Sequence, residues 1–176
     1  MTRPLVLAPE RPSDAPLADA LIARAFGPGR FAKAAERLRE GASSLGELSR
    51  VAWIDGRAVG CVRLWPIAIG ETPALLLGPF AVDEAERSAG VGAALIRGAC
   101  DGARAAGHAV VLLVGDESYF GEFGFSRTEG VMMPGPVDPS RVLVRALVPG
   151  ATDGLLGEVR AAPLVRPASA YAMAAE

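Results

Sequence analysis

Two cysteines, one histidine and one lysine are all that 176 residues offer of those types, and each scarcity excludes something. Cys61 and Cys100 stand far apart and cannot make the dense framework that staples a small secreted domain, so both are expected as small buried apolar side chains. His108 has no neighbouring ligand-type residue, and a metal site needs a cluster, so no metal is expected. Charge of one sign is missing too. Eighteen basic against twenty acidic residues give a net charge of −2, with no surplus to neutralise a nucleic-acid backbone or hold an anionic membrane. No apolar run approaches the ~20 residues of a membrane-spanning helix. Met1–Glu10 carries no apolar targeting core, and a cytoplasmic location is expected. What is present is a 51% apolar, 22% charged composition, which places the chain among globular proteins able to bury a core.

The pattern along the chain alternates between strand and helix signals. Leu5–Ala8 reads as a short strand. Ser13 and Asp14 mark the start of a helix that runs to Phe26, with Leu17, Leu21 and Ala25 on its apolar face. A second helix is expected from Phe31 to Glu40, stopped by Gly41, followed by loop to Leu48. Ser49–Ile54 and Arg57–Leu64 are β-rich runs joined by Asp55-Gly56, the signature of a tight hairpin turn. Trp65-Pro66 is expected to disturb the end of the second arm, and Gly70–Pro73 to make the next turn. Ala74–Val82 is nearly all apolar, as a central strand covered on both faces must be. A helix over Ala93–Ala106, a strand over Ala109–Val114 and a late strand over Arg141–Val148 complete the order, the first two forming a right-handed parallel crossover. The tail from Ala151 has one packed segment around Leu155 and Leu156 and frays after Pro167. No repeat or linker divides residues 1–176, read as one mixed α/β domain with 151–176 as a C-terminal extension.

Two features point to a ligand. Arg87-Ser88-Ala89-Gly90-Val91-Gly92 joins the central strand to the crossover helix, and its glycines let backbone N–H groups face outward at the positive end of a helix dipole. The same residues also suit a plain strand-to-helix turn. Neither the phosphate-loop ending nor the dinucleotide-binding glycine spacing is present. Gly78-Pro79 interrupts the central strand, because proline has no N–H to give the ladder. Such a break splays two strands, and an extended amide-containing ligand such as pantetheine can pair in the wedge; a simple bend is the alternative.

The run Phe80-Ala81-Val82-Asp83-Glu84-Ala85-Glu86-Arg87-Ser88-Ala89-Gly90-Val91-Gly92 resembles the acetyl-CoA loop of the GNAT superfamily of N-acetyltransferases, through Arg87, Gly90, Val91 and Gly92. Tyr119-Phe120-Gly121-Glu122-Phe123-Gly124-Phe125 resembles that family's later Gly-Phe turn. The resemblance covers most of the chain and implies a mostly antiparallel sheet with splayed central strands and flanking helices. It implies acetyl-CoA as co-substrate, bound by Phe80, Ala81, Val82, Arg87, Ser88, Ala89, Gly90, Val91, Gly92 and Phe120, with Arg97 a weaker candidate. It further implies direct attack by an amine in a ternary complex, an oxyanion-binding N–H near Phe80–Val82, and a small-molecule or peptide amine as acceptor. The acceptor is chosen by residues 24–46 and the late strands. Asp116, Glu117 and Glu71 are candidate bases, each also readable as a solvated carboxylate. The chain departs from the family pattern at Glu84, where proline is common, and at Ser88-Ala89. It also carries Phe120 where many relatives have the tyrosine that protonates the departing thiolate. Tyr119 is the catalytic candidate in its place; water as the acid, or Tyr119 as a cleft-lining residue, are the alternatives. A silent acyl-CoA sensor and a structural domain without nucleotide are the competing functions, and monomer and homodimer both remain open.

Overall fold

The computed structural model describes residues 3–163. Three strands form an antiparallel run: β1 (Leu5–Pro9), β2 (Arg50–Ile54) and β3 (Arg57–Ile69). Asp55 at φ 51° and Gly56 at φ 72° make the two-residue turn between β2 and β3, the twist a tight hairpin requires. β4 (Thr72–Val82) returns antiparallel to β3, and β5 (Val110–Val114) lies parallel to β4 after the crossover helix α3 (Val91–Ala105). β8 (Val142–Ala146) pairs with β5, and the short β6 (Ser126–Arg127) pairs with β8.

The continuous apolar character of β4 and β5 follows from burial on both faces. Leu75, Leu77, Val111 and Leu113 point to one side, where they meet Leu95, Ile96, Ala99 and Cys100 of α3. Ala74, Leu76, Val110 and Leu112 point to the other, against Leu38, Leu155 and Val159. The helix α1 (Ala15–Phe26) packs as a third cluster on Cys61 and Ala81.

Several elements differ from the sequence expectation. On α1 the buried residues are Ala18, Leu21 and Ile22, whereas Leu17 is 46% exposed. The docking angle on the sheet rotates the apolar stripe away from the Leu17–Ala25 side. Asp14 stands at the N-cap, yet its carboxylate accepts from Arg11 N and Nε rather than from the helix. The expected second helix breaks up into a 3-10 turn (Pro28–Ala32) and one α turn, α2 (Ala34–Arg37). Lys33 between them is extended, and a helix so short gains little cooperativity. Trp65-Pro66 does not end β3: Pro66 keeps its register opposite Leu75, and its carbonyl accepts from Ala162 N at 3.2 Å. Proline's fixed φ is compatible with an extended strand, so only one donor is lost.

The stretch after Ala151 adds a strand that the residue pattern did not announce. β9 (Gly157–Ala161) pairs antiparallel with Ile67–Ile69 of β3 and parallel with β7 (Val131–Met132). Leu155 is buried there, but Leu156 is 67% exposed. The fraying expected after Pro167 lies outside the described residues.

Both cysteines are free and fully buried. Burial pushes the Cys61 thiol up to about 12 and raises that of Cys100 as well. A thiol reagent such as Ellman's should therefore find no reactive cysteine in the native protein at neutral pH and two in denaturant. Rapid native labelling would show that the core opens locally.

Candidate active site

The parallel ladder between β4 and β5 consists of Leu75 opposite Val111 and Leu76 opposite Leu112, and it stops there. Beyond it β4 keeps only β3 as a neighbour, with an irregularity between Val62 and Leu64, across from Gly78-Pro79. Trp65 Nε1 donates to Gly78 O at 2.6 Å and ties the irregular stretch to β3. The expected splaying of the central strands is therefore present. It begins at Leu77, slightly earlier than Pro79.

Two cavities follow the free edge of β4. One of about 490 Å³ reaches from Leu77–Phe80 to Leu113–Gly115 and the segment of residues 26–39. A second of about 580 Å³ runs along Phe80, Ala81 and Val82 to Arg87, Ser88, Gly90 and Gly92. Phe26, Phe80 and Tyr119 line both, so the cavities meet around these three rings.

Gly90, at φ 74°, is the N-cap of α3, a left-handed position that glycine occupies without strain. Ala94 N donates to Gly90 O, which leaves the preceding amides of the first turn without intrahelical acceptors. A Cβ on Gly92 would lie 2.7 Å from Tyr119 Oη and 3.1 Å from Phe80 Cζ. Only glycine lets these rings approach the helix start so closely. Val91 faces the core, and Ala89 is exposed on the loop with its N–H bonded to Glu86 O; neither side chain lines a cavity.

The loop is anchored by an ion cluster that the sequence did not reveal. Glu86 is 3% exposed and accepts from Arg3 Nη2 and Arg57 Nη2, both at 3.0 Å. Arg57 also donates to Asp83 at 2.8 Å, and Asp83 accepts from Ala85 N at 3.1 Å. Hydrogen bonds from Ala85 N and Arg57 hold the Asp83 carboxyl below its usual range. Arg87, by contrast, is exposed, with only a loose 3.5 Å pairing to Glu84.

Tyr119 and Phe120 sit on α4 (Glu117–Phe120) just after β5, and the helical turn sends them in different directions. Tyr119 is 40% exposed, 6.4 Å from the Phe80 ring centre, with its hydroxyl against the Gly92 backbone. Burial, and secondarily Glu122, raises its phenol above the ordinary value, so it stays protonated at neutral pH. Phe120 instead lays its ring edge over Gly115 and packs edge-to-face on Phe125 at 6.2 Å.

The remaining candidates separate clearly. Asp116 lines the first cavity and accepts from Arg141 Nε at 3.1 Å. Glu117 pairs with Arg127 at 2.8 Å and lines only a shallow outer depression. Glu71 does not belong to the site. It lies at the far β3–β4 turn, beside His108 and Arg160, because Ala74–Leu76 carries the strand away from the splayed end. Arg97 stacks 5.1 Å above the Phe123 ring. Among the described residues no cluster of metal-ligand type occurs, and no helix is long and apolar enough to cross a membrane.

Comparison with known proteins bears directly on this arrangement. The model of the acetyltransferase (GNAT) family matches residues 18–125. The Uncharacterized N-acetyltransferase YhbS of Escherichia coli strain K12 is 32% identical over 155 residues, which is 85% of this chain and 92% of that protein. Its crystal structure, in complex with CoA, superposes with a TM-score of 0.79 at 29% identity and 92% coverage of both chains. A GNAT family acetyltransferase from Brucella melitensis, in complex with acetyl-CoA, gives a TM-score of 0.65 at 27% identity, covering 90% of this chain and 96% of that one. The mixed α/β fold, one mostly antiparallel sheet with flanking helices, is that of the matched structures, and this chain belongs to the acetyltransferase (GNAT) family.

Proposed function

We propose that the protein binds acetyl-CoA along the free edge of β4 and transfers its acetyl group to an amine by direct attack within a ternary complex. The observation that carries this reading is that the unpaired edge of Leu77–Val82 and the start of α3 at Gly90–Gly92 line two adjoining cavities that share Phe26, Phe80 and Tyr119. Together they suit such a ligand in two respects. Backbone N–H groups at a helix start accept a pyrophosphate, and an unpaired strand edge accepts the amides of a pantetheine arm. The relatives crystallised with CoA and acetyl-CoA support the same choice.

The chemistry then follows from position. The amine nitrogen bonds to the thioester carbonyl carbon, the carbon–sulfur bond breaks, and the amine's proton leaves to solvent or to a carboxylate such as Asp116. A backbone N–H in the Phe80–Val82 stretch takes the developing oxyanion charge. Tyr119, where the cavities meet, supplies a proton to the departing sulfur. The acceptor is a small-molecule or peptide amine, and the protein is taken to work in the cytoplasm as monomer or homodimer.

Acetyl-CoA should raise the melting temperature in proportion to the logarithm of its concentration, as a ligand of the native state must. Thiol release from acetyl-CoA in the presence of polyamines, amino acids, aminoglycosides and peptides then tests turnover. Phe120, which lacks the hydroxyl common at its position, favours a second reading as an acyl-CoA sensor. Binding with no thiol release across that panel would establish the sensor and end the transferase reading.

The ion cluster behind the loop gives a further expected result. Glu86→Gln removes the charge that both Arg3 and Arg57 face, while the half-exposed arginines can turn to water. Acetyl-CoA affinity should fall about 3- to 10-fold, a loss of ~1 kcal/mol in loop order, with the fold retained. Calorimetric titration reads this, and an unchanged Kd would show that the loop holds its shape without the cluster.

A further inference from the structure

The cavity beside Gly78 is charged in a polarised way. Arg30, Lys33 and Arg39 come from the single segment following α1, while Asp116 and Asp138 come from the segments after β5 and before β8. Arg141 also lines it, but Asp116 already pairs with that guanidinium. The cationic wall is held in place from both ends. Leu38 is buried in the core on that face, and Arg37 Nη1 donates to Pro134 O at 2.9 Å, joining the segment to the loop that carries Asp138.

Arg39 is the residue that most needs an explanation. Its side chain is only 13% exposed, its Nη1 donates to Glu36 Oε2 at 3.0 Å, and Glu36 is its one hydrogen-bond partner among the described residues. Its Nε is buried with no hydrogen-bond partner. Its Nη2 lies where a Cβ on Gly78 would come within 2.9 Å, directly over the interrupted stretch of β4. Burial holds its pKa below the ordinary arginine value, opposed by Glu36 and reinforced by Arg63. The enclosed Nε is out of a ligand's reach, so the part of this guanidinium available to an anion in the cavity is the Nη2 end over Gly78. Nearby, Lys33 is exposed and sits 4.7 Å above the Phe26 ring, which itself lines both cavities.

We propose that the acceptor is a small amine that also carries a carboxylate, an amino-acid-like zwitterion, with Arg39 and Lys33 receiving the carboxylate and Asp138, whose Oδ1 alone is taken up by Ser140, holding the amine. This rests on the acetyl-transfer reading of the same cavities and adds the acceptor's chemical class. Polyamines and aminoglycosides, cationic throughout, meet like charge on the wall formed by Arg30, Lys33 and Arg39. An amine without a carboxylate offers the cavity-lining end of Arg39 no anion to pair with.

The test uses the wild-type protein saturated with CoA and a matched panel of amino acids, their carboxamides and the corresponding decarboxylated amines. Calorimetry should detect binding of amino acids and little or none of the other two sets. Thiol release from acetyl-CoA should rank the sets in the same order. Arg39→Gln should weaken amino-acid binding by about 10- to 100-fold, the loss expected for a hydrogen bond to a charged group, while CoA affinity stays within about twofold. Arg39→Lys should recover part of the loss. Because Arg39→Gln touches a largely buried ion pair, Lys33→Gln at an exposed position serves as the second variant, with a smaller loss of the same selectivity. Amides or simple amines binding as well as amino acids, or amino-acid affinity unaffected by both variants, would overturn the acceptor class. Amino-acid binding without any thiol release would uphold the zwitterion site and overturn the transferase reading, so the two failures are told apart.

Discussion

Gly90→Asp should abolish acetyl-CoA binding at concentrations where the wild type is saturated, with the fold intact. Gly90 sits at φ 74°, and a Cβ there meets nothing within 4 Å. The substitution therefore costs no packing, and aspartate is among the few residues that enter the left-handed region with modest strain. What it adds is a negative charge at the amide-lined start of α3, where the proposed ligand places its phosphates. Two unit charges ~4 Å apart repel by ~1 kcal/mol in water and ~4 kcal/mol near a protein surface, and the pyrophosphate carries more than one charge. A loss of about 100-fold or more is expected. Gly90→Asn, nearly the same shape without the charge, should retain most of the affinity and so separates electrostatics from backbone strain. Calorimetric titration of both variants, with melting curves as the folding control, decides the matter. Wild-type affinity in a folded Gly90→Asp protein would remove the cofactor from this loop.

Tyr119→Phe carries the second large effect. A general acid contributes ~10²–10⁴-fold where one is used, and the thiol of a coenzyme, with a pKa of ~8.5, is a tolerable leaving group without one. The expected fall in kcat is therefore near 100-fold, with acetyl-CoA affinity little changed because the ring remains beside Phe80. Its raised phenol pKa keeps the proton available through neutral pH, and kcat should decline only in alkali as Tyr119 ionises. Phe120→Tyr should bring no gain, because that ring is turned over Gly115 onto Phe125. A loss under about threefold in Tyr119→Phe, equivalent to ~0.7 kcal/mol, would exclude the catalytic role. A gain in Phe120→Tyr would instead show that the neighbouring position is competent but unused in the native protein.

Whether a feature could be read from the residues alone follows from how far its cause lies along the chain. Asp55-Gly56, the apolar runs of β4 and β5, and Gly90-Val91-Gly92 announce themselves because turn conformation, two-sided burial and a helix start are set by adjacent residues. The same holds for the broken strand, since a proline's missing donor is a local fact whatever the neighbour. Even Phe120 in place of a hydroxyl was visible by counting.

The remainder depended on partners distant in sequence. Glu86 reads as one more surface acid until Arg3, 83 residues away, and Arg57, 29 residues away, are brought against it. β9 is a strand because β3 offers Ile67–Ile69 an unpaired edge, not because Gly157–Ala161 has a strong strand pattern. The apolar face of α1 was fixed by where Cys61 and Ala81 lie, and Glu71 left the site because the strand carries it to the opposite end of the hairpin. Arg39 gained its place over Gly78 through the burial of Leu38 beside it. The sequence by itself determined the family, the sheet's central strands and the glycine-opened start of α3, because those rest on local backbone chemistry. Tertiary structure alone decided which charges meet in the cleft, because only packing brings distant side chains within hydrogen-bonding reach.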